Sequence, residues 1–197
     1  RWAGVLNLSA RLNEEDRIMP ETYKMKIAGL ERELPRCPLN EKLDIAAFVM
    51  FSDVEVTIAA AAELLKKCPD FDMIITAESK GIPLAYEMAR QSGKTYVVAR
   101  KSVKLYMTNP ISVKVKSITT SNEQVLYLAE DKAEMLKGKR VLIVDDVIST
   151  GESLTALEKL TEAANGNIVA EAAVLAEGDA ADRDDIIFLE KLPLFFK

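Results

Sequence analysis

The feature that most constrains this sequence is the stretch at residues 141–154, where a buried strand leads directly into a helix. Four apolar residues that favour β-structure are followed by Asp145 and Asp146. A short loop with hydroxyl side chains and Gly151 comes next, and the apolar spacing then becomes helical. Open α/β sheets bind ligands where their strands end, and helix N-termini offer N–H groups to phosphates. The stretch therefore predicts an α/β protein with a phosphate-ester site at this turn.

The composition is that of an ordinary soluble globular domain. Of the 197 residues, 49% are hydrophobic and 29% are charged, and this length can bury a proper core. The formal net charge of −5 favours neither nucleic acid nor a membrane surface as a partner. No apolar run approaches the roughly 20 residues that span a bilayer. We therefore expect a soluble protein with a small-molecule substrate, without nucleic-acid or membrane partners.

The sequence contains no histidine and only two cysteines. The absence of histidine excludes Ser-His and Cys-His dyads and imidazole zinc sites. Any catalysis must therefore use carboxylates, hydroxyls, Lys, Arg, backbone amides or a metal held by oxygen ligands. Cys37 and Cys68 lack metal-type spacing, and we expect two free thiols in a reducing cytoplasm rather than the single disulfide they could form.

Helix and strand patterns alternate from residue 53 onwards. This order is typical of a mostly parallel sheet with right-handed crossovers, flanked by helices. Asp53 is the predicted N-cap of the first helix. The predicted helices cover residues 53–67, 82–91 and 152–164, with a short helical turn at 131–136. The predicted strands cover residues 72–76, 95–99, 141–144, 167–175 and 186–189.

Two regions depart from this alternation. Before residue 53, the pattern predicts a weak helix at residues 5–17, a strand at 23–29 and an irregular connection at 30–38. Residues 113–118 and 125–128 predict an exposed antiparallel hairpin that projects from the sheet. We expect one domain, and its parts are an N-terminal extension (1–22), a small hood (23–52) and a core (53–192) with a hairpin lid (105–128).

The residue types at the turn suit a ribose 5-phosphate. Adjacent carboxylates accept hydrogen bonds from vicinal hydroxyls or hold Mg²⁺ through water. Gly151 permits a positive φ, so that successive N–H groups can converge on an anion. The alternative is a polar strand end followed by an ordinary capped turn. Neither a Walker loop nor a GxGxxG motif is present.

Residues 141–154 resemble the PRPP-binding motif of the type I phosphoribosyltransferases, where PRPP is 5-phosphoribosyl-1-pyrophosphate. Three further segments, at residues 51–54, 77–83 and 100–105, resemble those of the adenine branch. Together the matches cover about residues 43–178. The resemblance implies the type I phosphoribosyltransferase fold, a homodimer and a reaction in which PRPP and a purine base give a nucleoside monophosphate and pyrophosphate.

The resemblance also implies roles for particular residues. Asp145 and Asp146 are implied to bind the ribose hydroxyls as the catalytic acids. Mg²⁺ is the implied cofactor, held by PRPP itself, with no direct protein ligand and with contact to either acid only through water. The implied PRPP-binding residues are Ser149, Thr150, Gly151, Glu152, Ser153, Glu78, Ser79, Lys80, Arg100, Lys101 and Lys104. The implied base-binding residues are Leu43, Met50, Phe51 and Glu177.

The preferred base and the catalytic status are left open by the sequence. Adenine is favoured over xanthine, because Met50 stands where xanthine enzymes carry an Asn. The hairpin link at residues 117–123 instead resembles the threonine-rich loop of xanthine enzymes, and Glu123 is not assigned a catalytic role. Hypoxanthine/guanine enzymes are a further alternative. A PRPP-sensing repressor is the rival from another class, but we expect the segment before Tyr23 to be too short for a DNA-binding domain.

Overall fold

A computed structural model describes residues 21–116 and 123–197. The predicted helix at residues 5–17 and the hairpin link at residues 117–122 lie outside the described residues. Within them, no helix is long and apolar enough to cross a membrane. The strands are β1 (Thr22–Ile27), β2 (Leu30–Asn40), β3 (Leu43–Ala46), β4 (Met73–Ala77), β5 (Thr95–Ala99), β6 (Ile111–Lys116), β7 (Glu123–Leu128), β8 (Arg140–Ile148), β9 (Asn167–Glu177), β10 (Ile187–Leu192) and β11 (Leu194–Phe196). The helices are α1 (Val54–Lys67), α2 (Ile82–Ser92), α3 (Glu130–Leu136) and α4 (Glu152–Ala163), with a 3-10 helix at Gly178–Asp182.

Five parallel strands form the central sheet, in the order β10-β9-β8-β4-β5. Its two faces are covered by different helices, because side chains of β8 alternate between two apolar clusters. Leu142 and Val144 pack in the cluster that contains residues of α1 and α2. Val141 and Ile143 pack in the cluster that contains residues of α4. The predicted α/β class and parallel sheet are confirmed.

Local sequence signals set the ends of α1 and α2. The side chain of Asp53 accepts a hydrogen bond from the Val56 N–H at 3.1 Å, which confirms the predicted N-cap of α1. Lys66 and Lys67 lie in the last turn of α1, where the helix dipole favours cations. Gly93 ends α2 in the left-handed conformation, with φ +67°. Because α2 directly follows β4 and α1 ends shortly before β4 begins, both helices start at the carboxyl edge of the central sheet.

The N-terminal region forms a second, four-stranded sheet in the order β1-β2-β3-β11. The predicted irregular connection at residues 30–38 is wrong, because β2 runs through both prolines in this segment. The Pro35 carbonyl still accepts from the Ala47 N–H at 2.8 Å, and a register shift occurs between Pro38 and Asn40. Strand β11, which the sequence analysis did not predict, completes this sheet beside β3.

The hairpin of β6 and β7 is antiparallel, as predicted, but it does not project freely. Val115, Leu126 and Leu128 are buried in the cluster that contains residues of α4. Arg100 and Tyr127 also exchange two backbone hydrogen bonds of 2.8 Å, which join the hairpin to the end of β5. The expectation of an exposed hairpin is therefore wrong for its core-facing side.

Candidate active site

Asp145 and Asp146 lie within β8 rather than after it, because the strand continues to Ile148. The predicted end at residue 144 is therefore wrong. Both carboxylates are mostly buried, with 9% and 4% of the residue surface exposed. Burial and the neighbouring Asp146 charge raise the pKa of Asp145 to about 7. Two acids in one nearly dry position can accept hydrogen bonds from a polyol, and their mutual repulsion favours the binding of further donors or a cation.

The loop after β4 packs directly against Asp145. The Oδ1 atom of Asp145 accepts from the Ser79 hydroxyl at 3.2 Å and from the Asp146 N–H at 2.9 Å. A Cβ atom on Gly81 would lie 2.7 Å from this oxygen and 3.1 Å from the Asp145 Cα. Only a glycine therefore lets this loop approach β8 so closely.

The turn between β8 and α4 encloses a small cavity of about 50 Å³. Gly151 is the N-cap of α4 and has φ +77°, the left-handed conformation that the sequence predicts for an anion-binding turn. The N-terminus of α4 opens on the same cavity and favours negative charge there. Its lining includes the five residues predicted to bind the 5′-phosphate, Ser149, Thr150, Gly151, Glu152 and Ser153.

Lys80 connects the loop after β4 to the run before α1 and to β8. Its ammonium donates to the Phe48 carbonyl at 2.9 Å and lies 3.3 Å from the Oδ2 atom of Asp146. That oxygen is buried and has no partner of hydrogen-bond geometry. The charge of Lys80 also reaches Glu177, and it partly opposes the upward pKa shift that burial causes there. Lys80 is thus paired with one of the two acids of β8, and its charge acts on one predicted base-binding residue.

The predicted pyrophosphate-binding cations gather around Glu78. Its Oε1 atom lies 3.0 Å from the Arg100 guanidinium and 3.6 Å from the Lys104 ammonium. The Lys101 N–H donates to the other carboxylate oxygen at 2.9 Å, and this bond is the main reason that the pKa of Glu78 lies below its ordinary value. The side chain of Lys101 is exposed. The structure therefore brings these residues together, although Glu78 neutralises part of their charge.

The backbone amides of this loop are engaged within the protein. The Glu78 N–H donates to the Ala99 carbonyl and the Ser79 N–H donates to the Ala77 carbonyl, both at 2.8 Å. The Gly81 N–H lies 3.3 Å from the Ser79 hydroxyl, which accepts from it. The predicted role of these amides in pyrophosphate binding stays a prediction, and it requires that these bonds open.

The predicted base-binding residues are only partly brought together. Met50 is fully buried, whereas Phe51 is 54% exposed, and both line a cleft of about 260 Å³ between α1 and α2. Ser52 has φ +70°, and this strained turn is closed by the Asp53 N–H, which donates to the Met50 carbonyl at 3.1 Å. The base-binding role of Met50 and Phe51 stays a prediction.

Leu43 and Glu177 lie in different parts of the molecule. Leu43 is half-buried in β3, where it pairs with Phe196 of β11, and no described contact joins it to Phe51. Glu177 ends β9, next to the strand that carries the two acids. Its carboxylate is half-buried at the carboxyl edge of the central sheet. The structure therefore supports placing Glu177 near the site and gives Leu43 no contact with it.

Sequence reasoning missed two groups near this site. The Phe48 carbonyl belongs to an apolar run and acquires its polar role only through contact with Lys80. The Nη1 atom of Arg183 would lie 3.4 Å from a Cβ atom on Gly151, and its guanidinium is held by Asp185 in two bonds of 2.7 Å. The charged loop at residues 179–185 was visible in the sequence, but nothing local showed that it reaches the N-terminus of α4.

A model of the phosphoribosyl transferase domain matches residues 53–192. The chain belongs to this family. This assignment agrees with the two acids of β8, the glycine turn and the cation cluster, which all fall within the matched residues. It also confirms the family that the motif at residues 141–154 indicates.

Three relatives show the range of the family near this chain. An adenine phosphoribosyltransferase of Petrotoga mobilis is 35% identical over 152 residues, which cover 74% of this chain and 84% of the relative. A hypoxanthine/guanine phosphoribosyltransferase of Methanocella arvoryzae is 31% identical over 142 residues, with coverage of 72% and 68%. The purine biosynthesis repressor PurR of Bacillus subtilis is 33% identical over 113 residues, with coverage of 57% and 39%.

A solved structure shows the shared fold. The adenine phosphoribosyltransferase of Thermoanaerobacter pseudethanolicus superimposes with a TM-score of 0.68, at 24% identity, over 80% of this chain and 95% of that one. The type I phosphoribosyltransferase fold predicted from the motifs is thereby confirmed.

Proposed function

We propose that this protein is a purine phosphoribosyltransferase that joins the 5-phosphoribosyl group of PRPP to a purine base and releases pyrophosphate. The observation that carries the proposal is the position of the two acids: Asp145 lines the cavity at the turn, Asp146 lies 3.3 Å from the Lys80 ammonium, and the loop that carries Lys80 also holds Arg100 and Lys104 through Glu78. This order matches the phosphate, ribose and pyrophosphate of one PRPP molecule. Relatives that act on adenine and on hypoxanthine or guanine support a purine as the acceptor, and we favour adenine.

The chemistry needs charge stabilisation rather than a strong nucleophile on the protein. As the bond from ribose C1 to pyrophosphate breaks, positive charge grows on the sugar and negative charge on the leaving group. Asp145 and Asp146 accept hydrogen bonds from the ribose hydroxyls, and their negative charge favours the cationic sugar. We assign the stabilisation of the pyrophosphate to Arg100, Lys104 and Lys80. The base nitrogen then bonds to C1 and loses its proton to solvent or to a nearby acceptor.

The residues present fit a Mg²⁺ ion carried by the substrate. The Oδ2 atom of Asp146 is buried without a hydrogen-bond partner, and carboxylate oxygens are ligands that Mg²⁺ accepts directly or through water. Asp145 and Asp146 would hold it through water. When bound, Mg²⁺ offsets negative charge on the pyrophosphate.

We further propose that the hairpin segment at residues 105–128 covers PRPP as a lid. Its attachment to Arg100 through Tyr127 supports this role, because movement of the hairpin would move a pyrophosphate-binding residue. Closure would exclude water, which otherwise competes with the base for the sugar.

We also propose a homodimer in the cytoplasm. The exposed apolar side chains of Val54, Ile58 and Tyr86 surround the cleft between α1 and α2, and such a patch favours a protein partner. Both cysteines are free thiols, as expected in a reducing compartment. Light scattering coupled to size-exclusion chromatography tests the dimer, and a monomer at micromolar concentration would contradict it.

The rival function is a PRPP-binding regulator without catalysis, and the similarity to PurR is the observation that favours it. Incubation with PRPP, Mg²⁺ and each purine base, followed by measurement of pyrophosphate release, separates the two functions. We expect turnover with at least one base. PRPP binding by calorimetry without turnover on any base would reject the enzyme and leave the regulator.

A further inference from the structure

Arg183 lies against the turn between β8 and α4, although it belongs to the charged loop that follows β9. It is the C-cap of the 3-10 helix at Gly178–Asp182. Its Nη1 atom would lie 3.4 Å from a Cβ atom on Gly151, so it is within about 5 Å of the Gly151 Cα. Gly151 is the N-cap of α4 and lines the cavity of about 50 Å³ at this turn. A cation from a distant segment therefore lies beside the place proposed for the 5′-phosphate.

Two acids fix the direction of this guanidinium. Its Nε and Nη2 atoms donate to the two carboxylate oxygens of Asp185, both at 2.7 Å. The Nη2 atom also lies 3.7 Å from the Oε2 atom of Glu171. A guanidinium is planar, so this fork leaves Nη1 on the side away from Asp185, next to Gly151. The side chain is thus already ordered and loses little conformational entropy when an anion binds.

The cavity at the turn needs positive charge from outside its own walls. The described residues that line it include Asp145 and Glu152 but no Lys or Arg. A phosphate ester carries about −1.5 to −2 charges at neutral pH, and neighbouring carboxylates repel it. The N-terminus of α4 offsets part of this repulsion, since its dipole favours anions. A cation beside the same turn offsets more.

The ion pair of Arg183 with Asp185 presents its positive end to the turn. Burial and a hydrogen bond with Glu158 raise the pKa of Glu171 to about 8, so the Glu171 carboxyl keeps its proton at neutral pH. Asp185 is then the ionised member of the two acids beside Arg183. It lies on the side of the guanidinium away from Gly151, and its charge therefore reduces the attraction for a phosphate without cancelling it.

We propose that Arg183 is a positioning residue for the 5′-phosphate and supplies the positive charge that the acid-lined cavity lacks. The inference rests on the proposed function and adds a residue to the phosphate end of its site. Asp185 then has the role of orienting the guanidinium. The alternative is that Arg183 only fastens the loop at residues 179–185 to β9.

The test measures the binding of ribose 5-phosphate and of pyrophosphate with Mg²⁺ to the full chain by calorimetry. Arg183→Gln removes the charge, and we expect the affinity for ribose 5-phosphate to fall about fivefold, the effect of one partly exposed charge beside an anion. Affinity for pyrophosphate should change by less than about twofold, because its proposed cations gather around Glu78. Arg183→Lys keeps the charge and should stay within about twofold of the parent protein for both ligands.

Ionic strength gives a readout that a purely structural role would not move. Salt screens the attraction between the guanidinium and the phosphate, so ribose 5-phosphate binding to the parent protein should weaken as salt rises. This dependence should be shallower in Arg183→Gln and should be restored in Arg183→Lys. Equal losses of affinity in both variants, with lower melting temperatures and an unchanged salt dependence, would overturn the proposal and assign Arg183 a structural role.

Lys191→Gln is the matched control. Lys191 lies on β10 and holds the same loop through an ion pair of 2.8 Å with Asp182. Unchanged ribose 5-phosphate affinity and unchanged salt dependence are the expected results. If Lys191→Gln weakens ribose 5-phosphate binding as much as Arg183→Gln does, the integrity of the loop explains both losses and the proposal is overturned.

The titration with ribose 5-phosphate separates this inference from the proposed function, because it needs no catalysis. Absence of turnover with every base would reject the enzyme, and the titrations would still decide the role of Arg183. With turnover, Arg183→Gln should raise the KM for PRPP about fivefold and leave kcat within about twofold, since it removes binding rather than chemistry. A parent protein that does not bind ribose 5-phosphate, or an affinity that Arg183→Gln leaves unchanged, would overturn the inference.

Discussion

The two loops proposed to hold the ends of PRPP differ in how far they are prepared for an anion. The loop at residues 149–153 already surrounds a cavity of about 50 Å³, with Gly151 in its left-handed conformation. The loop at residues 78–81 has two amides bonded to carbonyls, and Glu78 pairs with the nearby cations. The end proposed for the 5′-phosphate thus contains a preformed cavity, whereas the amides at the end proposed for the pyrophosphate are engaged within the protein. We therefore expect the 5′-phosphate to dock first and the other loop to follow.

Asp146→Asn is expected to have the largest effect, because Asp146 links the two loops through the ribose and Lys80. Charged hydrogen bonds contribute about 1.5–3 kcal/mol, so PRPP affinity should fall by about 10–100-fold, and base affinity should change by less than about threefold. Calorimetric titration with PRPP and Mg²⁺ measures both. Asp70→Asn is the control, since the Asp70 side chain is 96% exposed. Equal losses for PRPP and base, with unchanged stability, would contradict the ribose assignment.

Gly81→Ala and Gly151→Ala place the same methyl group in the two loops. At Gly81 the methyl meets the Asp145 backbone and carboxylate, and we expect a destabilisation of about 1–3 kcal/mol together with weak PRPP binding. At Gly151 the nearest atom is 3.4 Å away, so the cost is mainly the positive φ, about 1 kcal/mol. Chemical denaturation measures both variants.

Gly29→Ala controls for the cost of a positive φ alone. Gly29 has φ +84° and nothing within 4 Å of the added Cβ atom. It should resemble Gly151→Ala in stability while PRPP binding stays unchanged. If Gly81→Ala is no more harmful than Gly29→Ala, the close packing of this loop on Asp145 is not required.

Glu78→Gln tests whether the pairing of Glu78 with Arg100 and Lys104 keeps these cations from an incoming pyrophosphate. Loss of the carboxylate charge frees Arg100 and Lys104 to meet an incoming anion, so pyrophosphate affinity should rise by about fivefold, close to 1 kcal/mol. The salt dependence of binding should also become steeper. Titrations at two ionic strengths measure this. Weaker binding would instead show that Glu78 positions the cations for the substrate.

The smallest expected effect is a pH dependence of stability that comes from Glu171 in β9. Burial and a hydrogen bond with Glu158 raise the pKa of Glu171 from its ordinary 4.5 to about 8. Between these values the folded protein keeps a proton that the unfolded chain has lost, so this group makes stability fall as the pH rises from about 4.5 to 8. Glu171→Gln should flatten this part of the curve of melting temperature against pH. Glu190→Gln is the control, since Glu190 is exposed on β10. A Glu171→Gln slope equal to that of this control would reject the assignment.

The turn between β8 and α4 was predictable because its signals are local. An apolar strand, adjacent acids and a glycine before a helix all lie within residues 141–154, and the structure places them as predicted. The bounds were less accurate, since β8 includes both acids. This extension depends on pairing with β9, as between Val147 and Leu175, which no local pattern encodes.

The base-binding side was harder to predict because its contacts are distant in sequence. The Phe48 carbonyl meets Lys80 from 32 positions away, and β3 pairs with β11 across about three quarters of the chain. The prolines of β2 also misled the prediction, because proline usually interrupts a strand, whereas here both prolines lie within one. Leu43 was chosen by resemblance alone, and its strand lies in the N-terminal sheet.

The pairing of β11 with β3 has a consequence for the order of folding. During synthesis, β1, β2 and β3 emerge early, but the edge of β3 has no partner until residues 194–196 leave the ribosome. The N-terminal sheet therefore waits for almost the whole chain with an open edge, which is a template for wrong pairing. Chaperone dependence and aggregation of nascent chains should be greatest for fragments that end between β10 and β11.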